Sequence, residues 1–135
     1  MFLKNHWYVA AWSEDVGRAL LGRVLLGESV CLFRKKYGSP IALEDRCPHR
    51  KLPLSEGKLI GDVLQCGYHG LEFAHDGVCS HVPGQSTIPS WARVKSFPIV
   101  ERDLWYSCGW AIPQRPITSR SPIFMPNCLI PIGTW

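Results

Sequence analysis

The apolar positions of this 135-residue chain recur at short intervals broken by turn residues, and no long stretch keeps the 3.6-residue period of an amphipathic helix. Near the start, Trp7-Tyr8-Val9-Ala10-Ala11-Trp12 runs into Ser13-Glu14-Asp15, which predicts a short strand and a turn, with the aromatics in the core. Arg23 to Leu26 and Val30 to Lys35 predict two strands parted by Gly27-Glu28-Ser29, and Ile41 to Glu44 a third after the Gly38-Ser39-Pro40 turn. Val63 to Gln65 is a further short run. Leu71 to His75 joins Val78-Cys79 through Asp76-Gly77, the signal of a type I′ hairpin. Val94 to Glu101 is the last strand, with Pro98 marking an edge. Strands this short and frequent predict an all-β fold, a small antiparallel β-sandwich or barrel.

After Asp103 the pattern lapses. Residues 104 to 135 hold no Asp or Glu, five prolines and three of the six tryptophans. The organisation expected is a domain over 1–103 and an atypical, poorly ordered tail over 104–135.

Bulk properties narrow the function class. A hydrophobic content of 46% and a charged content of 19% are those of a globular protein. The net charge of +4 is mild, and the Lys and Arg residues are scattered rather than striped, which argues against a nucleic-acid partner. The stretch Leu20 to Phe33 is interrupted by Arg23 and Glu28, so no membrane span is expected. Met1 to His6 has no apolar core of signal-peptide length, and the expected compartment is the cytoplasm. Thiols stay reduced there, so the six cysteines point to metal ligation before disulfides.

The chemistry concentrates in Cys47-Pro48-His49 and Cys66-Gly67-Tyr68-His69, with sixteen residues between His49 and Cys66. Each pair offers one thiolate and one imidazole from a loop tip. Two such loops supply two sulfurs and two nitrogens, the ligand set of a Rieske [2Fe–2S] centre, in which both cysteines bind one iron and both histidines the other. A structural zinc is the rival, although zinc modules more often use Cys-x-x-Cys pairs. Two ferric ions, two sulfides and two thiolates sum to zero charge, so such a centre accepts an electron more readily than a four-thiolate cluster.

The flanking residues sharpen this reading. Trp7-Tyr8-Val9-Ala10, Cys47-Pro48-His49-Arg50, Pro53-Leu54-Ser55 with Gly57, Leu64-Gln65-Cys66, Tyr68-His69-Gly70-Leu71-Glu72-Phe73, and Phe97-Pro98 with Val100-Glu101-Arg102-Asp103 resemble the N-terminal domain of Rieske non-haem iron oxygenases. The resemblance is strongest to those similar to vanillate O-demethylase and dicamba monooxygenase, and it covers about residues 2 to 103. Lys51-Leu52 departs from it mildly. The resemblance implies a Rieske-domain fold and a [2Fe–2S] cluster on Cys47, His49, Cys66 and His69. It implies electrons from an NAD(P)H-dependent reductase or a ferredoxin. The acceptor would be a mononuclear Fe(II) site in an oxygenase domain, the iron being held by two His and a carboxylate outside this chain. The parent reaction would be hydroxylation or O-demethylation of an aromatic compound in catabolism. No catalytic residue is expected here. A free-standing Rieske ferredoxin is the alternative.

Respiratory-type Rieske proteins clamp their loops with a disulfide and donate Ser and Tyr hydroxyls to the cluster. Here the clamp positions are Leu52 and Tyr68, and the donor positions are Leu71 and Phe73. Fewer donors stabilise the reduced cluster less, so the expected potential lies near the low end of roughly −150 to +300 mV. His6, His75 and His81 lie outside the motif, and His75 and His81 are expected at the surface. Cys31 and Cys79 are expected as buried apolar residues. Arg50 and Lys51 are either ordinary surface charge or a lure for an acidic redox partner. Finally, a back-translation of residues 104 to 135, read two nucleotides later, yields Leu-Gly-Asp-Pro and Ile-Pro-Asp-Phe segments. These resemble the continuation of such oxygenases, so a frameshift near codon 103 or 104 is expected.

Overall fold

The computed structural model describes residues 6–102 and 104–110. They form β1 (His6–Trp12), β2 (Leu21–Leu25), β3 (Glu28–Arg34), β4 (Pro40–Glu44), β5 (Lys58–Ile60), β6 (Val63–Gln65), β7 (Glu72–Phe73), β8 (Cys79–His81), β9 (Ser96–Phe97), β10 (Ile99–Arg102) and β11 (Trp105–Trp110). Two 3₁₀ turns, at Ser13–Asp15 and Leu54–Glu56, are the helical elements among the described residues. The strands pair antiparallel in three sheets, ordered β1-β11-β10, β2-β3-β4-β9 and β5-β6-β7-β8. The all-β fold class holds. No helix among the described residues is long and apolar enough to cross a membrane.

The central sheet has a core against each face, and β3 makes this plain. Successive side chains of a strand point to opposite sides. Val30 and Leu32 accordingly enter one core with Tyr8, Ala10, Phe97 and Tyr106. Cys31 and Phe33 enter the other with Leu54, Leu64, Leu71 and Phe73. This is why Val30 to Phe33 reads as an unbroken apolar run rather than an alternation. The second core lies beneath the two cysteine loops and ends at Cys47 and Cys66.

Several boundaries differ from the expectation. The type I′ turn forms at Leu26-Gly27, where both residues have positive φ (51° and 78°) and Leu25 faces Glu28. At Asp76-Gly77 only Gly77 has positive φ. Its N–H bonds the Ala74 carbonyl, and the Ala74 N–H bonds the Val78 carbonyl, a type I turn with a glycine bulge. The expected strand from Val94 to Glu101 is broken by Pro98 into β9 and β10. Trp12 is not core: it is 41% exposed and stacks on Trp105.

The boundary expected at 103 also falls inside a sheet. β11 lies between β1 and β10, with Tyr8 opposite Cys108 and Glu101 opposite Tyr106. Two pairing partners hold in place a segment whose own pattern is weak. Residues 111–135, with the rest of the expected tail, lie outside the described residues.

The outer and central sheets are tied by Arg34. Its guanidinium donates to the carbonyls of Val16 (2.6 Å), Ser13 (2.9 Å) and Gly38 (3.1 Å), pairs with Glu101 (3.2 Å), and lies over the Tyr106 ring. The Ser13 hydroxyl also donates to Glu101. Arg34 first, and Ser13 after it, hold the Glu101 carboxyl down at about 2. A carboxyl depressed in the folded state stabilises the fold above its unfolded pKa, and that contribution is lost as pH falls through the folded value. The pair is partly exposed, so its worth is under about 1 kcal/mol. Urea melts of wild type and Glu101→Gln should therefore differ at pH 6, with wild type more stable, and converge between about pH 4.5 and 2.

Candidate metal centre

Two loops of matching construction carry the motif. In the first, the Cys47 N–H bonds the Leu52 carbonyl (2.8 Å), and the Lys51 N–H returns to the Cys47 carbonyl (2.8 Å). In the second, the Cys66 N–H bonds the Leu71 carbonyl (2.8 Å). Each loop thus opens with a cysteine whose amide closes it five residues on. Both cysteines are buried, and His49 and His69 are exposed. Cys47 and Cys66 are free thiols, so the loops are not disulfide-linked to each other.

What brings the tips together lies just outside the loops. The Asp45 carboxylate, at the end of β4, accepts the Ser55 N–H and the Ser55 hydroxyl, both at 2.6 Å. With Leu54 fully buried, this fixes the 3₁₀ turn that leaves the first loop. Gly57 then passes so close to the second loop that a Cβ there would overlap the Gln65 carbonyl oxygen. A Cβ at Gly67 would lie 3.1 Å from the Glu56 carbonyl oxygen. Backbone meets backbone across these two positions, one residue before Cys66 and one after it.

The resulting site has two sides. Below, burial pushes the Cys47 thiol up. The His49 and Arg50 backbone N–H groups oppose this by hydrogen-bonding the sulfur, while the adjoining Cys66 thiol adds to it. Peptide donors aimed at a sulfur are what a thiolate ligand needs. Above, the Nδ1 atoms of His49 and His69 stand 3.0 Å apart, with their rings edge to face at 4.5 Å. Two imidazole nitrogens on one tetrahedral metal would be about 3.3 Å apart at ordinary metal–nitrogen lengths. Among the described residues no three His, Cys, Asp or Glu side chains converge on one metal ion. The donors fall into a sulfur pair and a nitrogen pair, which fits a two-metal cluster better than a lone zinc.

Aromatic and apolar groups flank the imidazoles. Tyr68 lies against His69, ring centroids 3.8 Å apart. Trp91 lies nearly parallel to His49, at 6.2 Å and 19°. Both imidazoles open onto a cleft lined also by Leu71, Val82, Pro83 and Trp91. The proline-bearing segment after His81 therefore borders the site, while His81 itself is exposed. Trp91 was not legible as a site residue, because nothing in Ser90-Trp91-Ala92 signals proximity to a residue forty positions earlier. His75 is exposed in its turn, and Cys31 and Cys79 are buried; burial raises both thiols. Cys108 is buried in β11, and Cys128 lies outside the described residues.

Comparison with known proteins agrees with this geometry. Residues 6–98 match the family model described as the Rieske [2Fe–2S] domain. The chain is 47% identical over 112 residues to the iron–sulfur subunit TsaM1 of the toluene-4-sulfonate monooxygenase system of Comamonas testosteroni, covering 81% of this chain and 32% of that one. It is 48% identical over 103 residues to the oxygenase component of dicamba O-demethylase from Stenotrophomonas maltophilia, covering 76% of this chain and 30% of that one. The crystal structure of dicamba monooxygenase with non-heme iron and dicamba superposes with a TM-score of 0.79 at 44% identity, covering 83% of this chain and 35% of that chain. The chain thus spans about a third of the length of the curated relatives it matches.

The backbone contact at Gly57 sets a prediction. Gly57→Ala should cost about 2–3 kcal/mol, because its methyl meets a carbonyl that cannot move without shifting Cys66. Gly67→Ala, with a looser contact, should cost less. Guanidinium melts of the two variants check the order; equal, near-zero losses would show that the loops are not wedged at this point.

Proposed function

Because the chain belongs to the Rieske [2Fe–2S] domain family, we propose that it is the electron-transfer domain of a Rieske-type oxygenase, holding its cluster on Cys47, His49, Cys66 and His69. The observation that carries the assignment is the segregation of donors, with buried thiols beneath and facing imidazoles above. Cys47 and Cys66 hold one iron and His49 and His69 the other. When bound, such a cluster accepts and returns one electron at a time.

The chain's own residues set the terms. The buried Leu71 and Phe73 side chains stand where hydroxyl donors would stabilise the reduced state, which keeps the potential near the low end of the Rieske range. The exposed imidazoles are the part of the centre a partner can touch. The donor is an NAD(P)H-dependent reductase or ferredoxin. The acceptor is a mononuclear Fe(II) centre in an oxygenase domain that hydroxylates or O-demethylates an aromatic substrate, in the cytoplasm. The relatives are described as oxygenase components and iron–sulfur subunits, which favours this over a free-standing ferredoxin.

The segment from 104 onward supports a second proposal, a shifted reading frame near codon 103 or 104. In β11 the polar side chains of Tyr106 and Ser107 are both buried. Back-translated and read two nucleotides later, these positions become Phe and Leu. Two buried polar side chains then become apolar. The genomic sequence decides this: an oxygenase frame should continue downstream, and its absence in every frame ends the idea.

Protein purified without air should contain equimolar iron and sulfide and, when reduced, give the low-average-g spectrum of a mixed His/Cys [2Fe–2S] centre. Cys47→Ala and Cys66→Ala should abolish it. A colourless protein with stoichiometric zinc, or Mössbauer spectra with equivalent all-thiolate irons, would overturn the assignment.

A further inference from the structure

The His49 imidazole is exposed at the tip of its loop. Tyr68 lies against His69 from within the second loop. No residue of the first loop does this for His49, since Arg50 and Lys51 carry exposed, flexible side chains. The aromatic neighbour of His49 is Trp91, which arrives from a distant segment. Four rings therefore follow one another across the tip, Tyr68, His69, His49 and Trp91, with centroid separations of 3.8, 4.5 and 6.2 Å.

Three observations single out Trp91. Its indole lies within 19° of the His49 plane, at a separation typical of offset aromatic pairs. It lines the cleft onto which both imidazoles open, together with Leu71, Val82 and Pro83. The segment that carries it is anchored beneath, since Ala92 and Val94 are buried in the core under the loops. In addition, the Cys79 N–H bonds the Ala92 carbonyl, and the Val94 N–H the Gly77 carbonyl. The indole is thus half exposed, yet its backbone is fixed.

We propose that Trp91 is a positioning residue for His49, fixing the plane of the imidazole and keeping water from that side of the cluster. The inference rests on the cluster assignment above. Removing the indole admits water to the cleft. Water donors stabilise the more negative reduced cluster, so the midpoint potential rises. A flat apolar ring of smaller size fills most of the same space, so phenylalanine substitutes for the indole.

The test uses the full chain purified without air as wild type, Trp91→Ala, Trp91→Phe and Ile88→Ala. Ile88 is exposed on the same segment but outside the cleft. Iron and sulfide content, the spectrum of the reduced state and a dye-mediated redox titration are measured for each. The expected result is a raised midpoint and shifted g-values for Trp91→Ala, with Trp91→Phe and Ile88→Ala close to wild type. Loss of the cluster in Trp91→Ala with retention in Trp91→Phe supports the proposal equally. An unchanged midpoint in Trp91→Ala overturns it. So does loss in both Trp91 variants, or an equal shift in Ile88→Ala, either of which marks a general effect on the segment. Wild-type protein without iron refutes the cluster assignment itself, a result distinguishable from all of these.

Discussion

The site depends on two stretches of backbone touching where side chains would keep them apart. Gly57 leaves the first loop against the Gln65 carbonyl, and Gly67 enters the second against the Glu56 carbonyl. Any Cβ at the first contact would push the loops apart, and the pairs of donors would separate with them. Hydrogen bonds within each loop shape its tip, but they carry no information about the other loop. The approach of the two is set by this contact together with the Asp45–Ser55 clasp. Close-packed interiors transmit such shifts rather than absorbing them. A displacement of a few tenths of an ångström at Gly57 therefore reaches Cys66 directly.

The same packing explains why sulfur is buried and nitrogen exposed. The core under the loops ends in Cys47 and Cys66, with Leu54, Leu64, Leu71 and Phe73 around them. Thiols are soft and apolar enough to finish a hydrophobic core. Imidazoles are better placed where water or a partner can reach them. A cysteine followed two or three residues later by a histidine, on a tight loop, meets both demands. The asymmetry of the donor set thus follows from the asymmetry of the surroundings: one side faces the central sheet, the other faces outward.

Much of this was legible in the sequence, because the informative residues were local. The paired Cys-x-His and Cys-x-x-His texts, the strands β2, β3, β4 and β6, and the buried Cys31 and Cys79 follow from motif spacing and from short apolar runs between turn residues. What escaped was tertiary. β5 is three residues long and becomes a strand by pairing with β6 across Gly61-Asp62. β11 contains Ser107, Cys108 and Gly109 in a poor strand pattern, yet it lies between β1 and β10, which supply partners on both edges. Trp91 sits in a segment without periodicity, and only the fold brings it beside His49. Asp76-Gly77 carried a correct turn signal of the wrong type, since Gly77 alone takes the left-handed conformation.

A comparison of the loops closes the physical account. Lys51 and Gly70 occupy equivalent places, each one residue before the carbonyl that closes its loop, and both have positive φ (64° and 77°). For a lysine this conformation costs about 1 kcal/mol or more, held in place by the Lys51 N–H bond to the Cys47 carbonyl and by the Cys47–Leu52 bond beside it. Glycine would avoid the strain in both loops, but only the second has glycine there. A Cβ at Gly70 would lie 3.3 Å from the Pro83 ring, which covers that loop, whereas Lys51 is open to solvent. The segment that presses on the second loop at Pro83 continues to Trp91 beside the first, so it touches both tips by different means. One loop is crowded by Pro83; the other is open and accepts a strained cation next to an exposed imidazole. A left-handed lysine at position 51 thus carries the backbone strain alone, whereas a side chain at Gly70 would add a tight contact with Pro83 to the same strain.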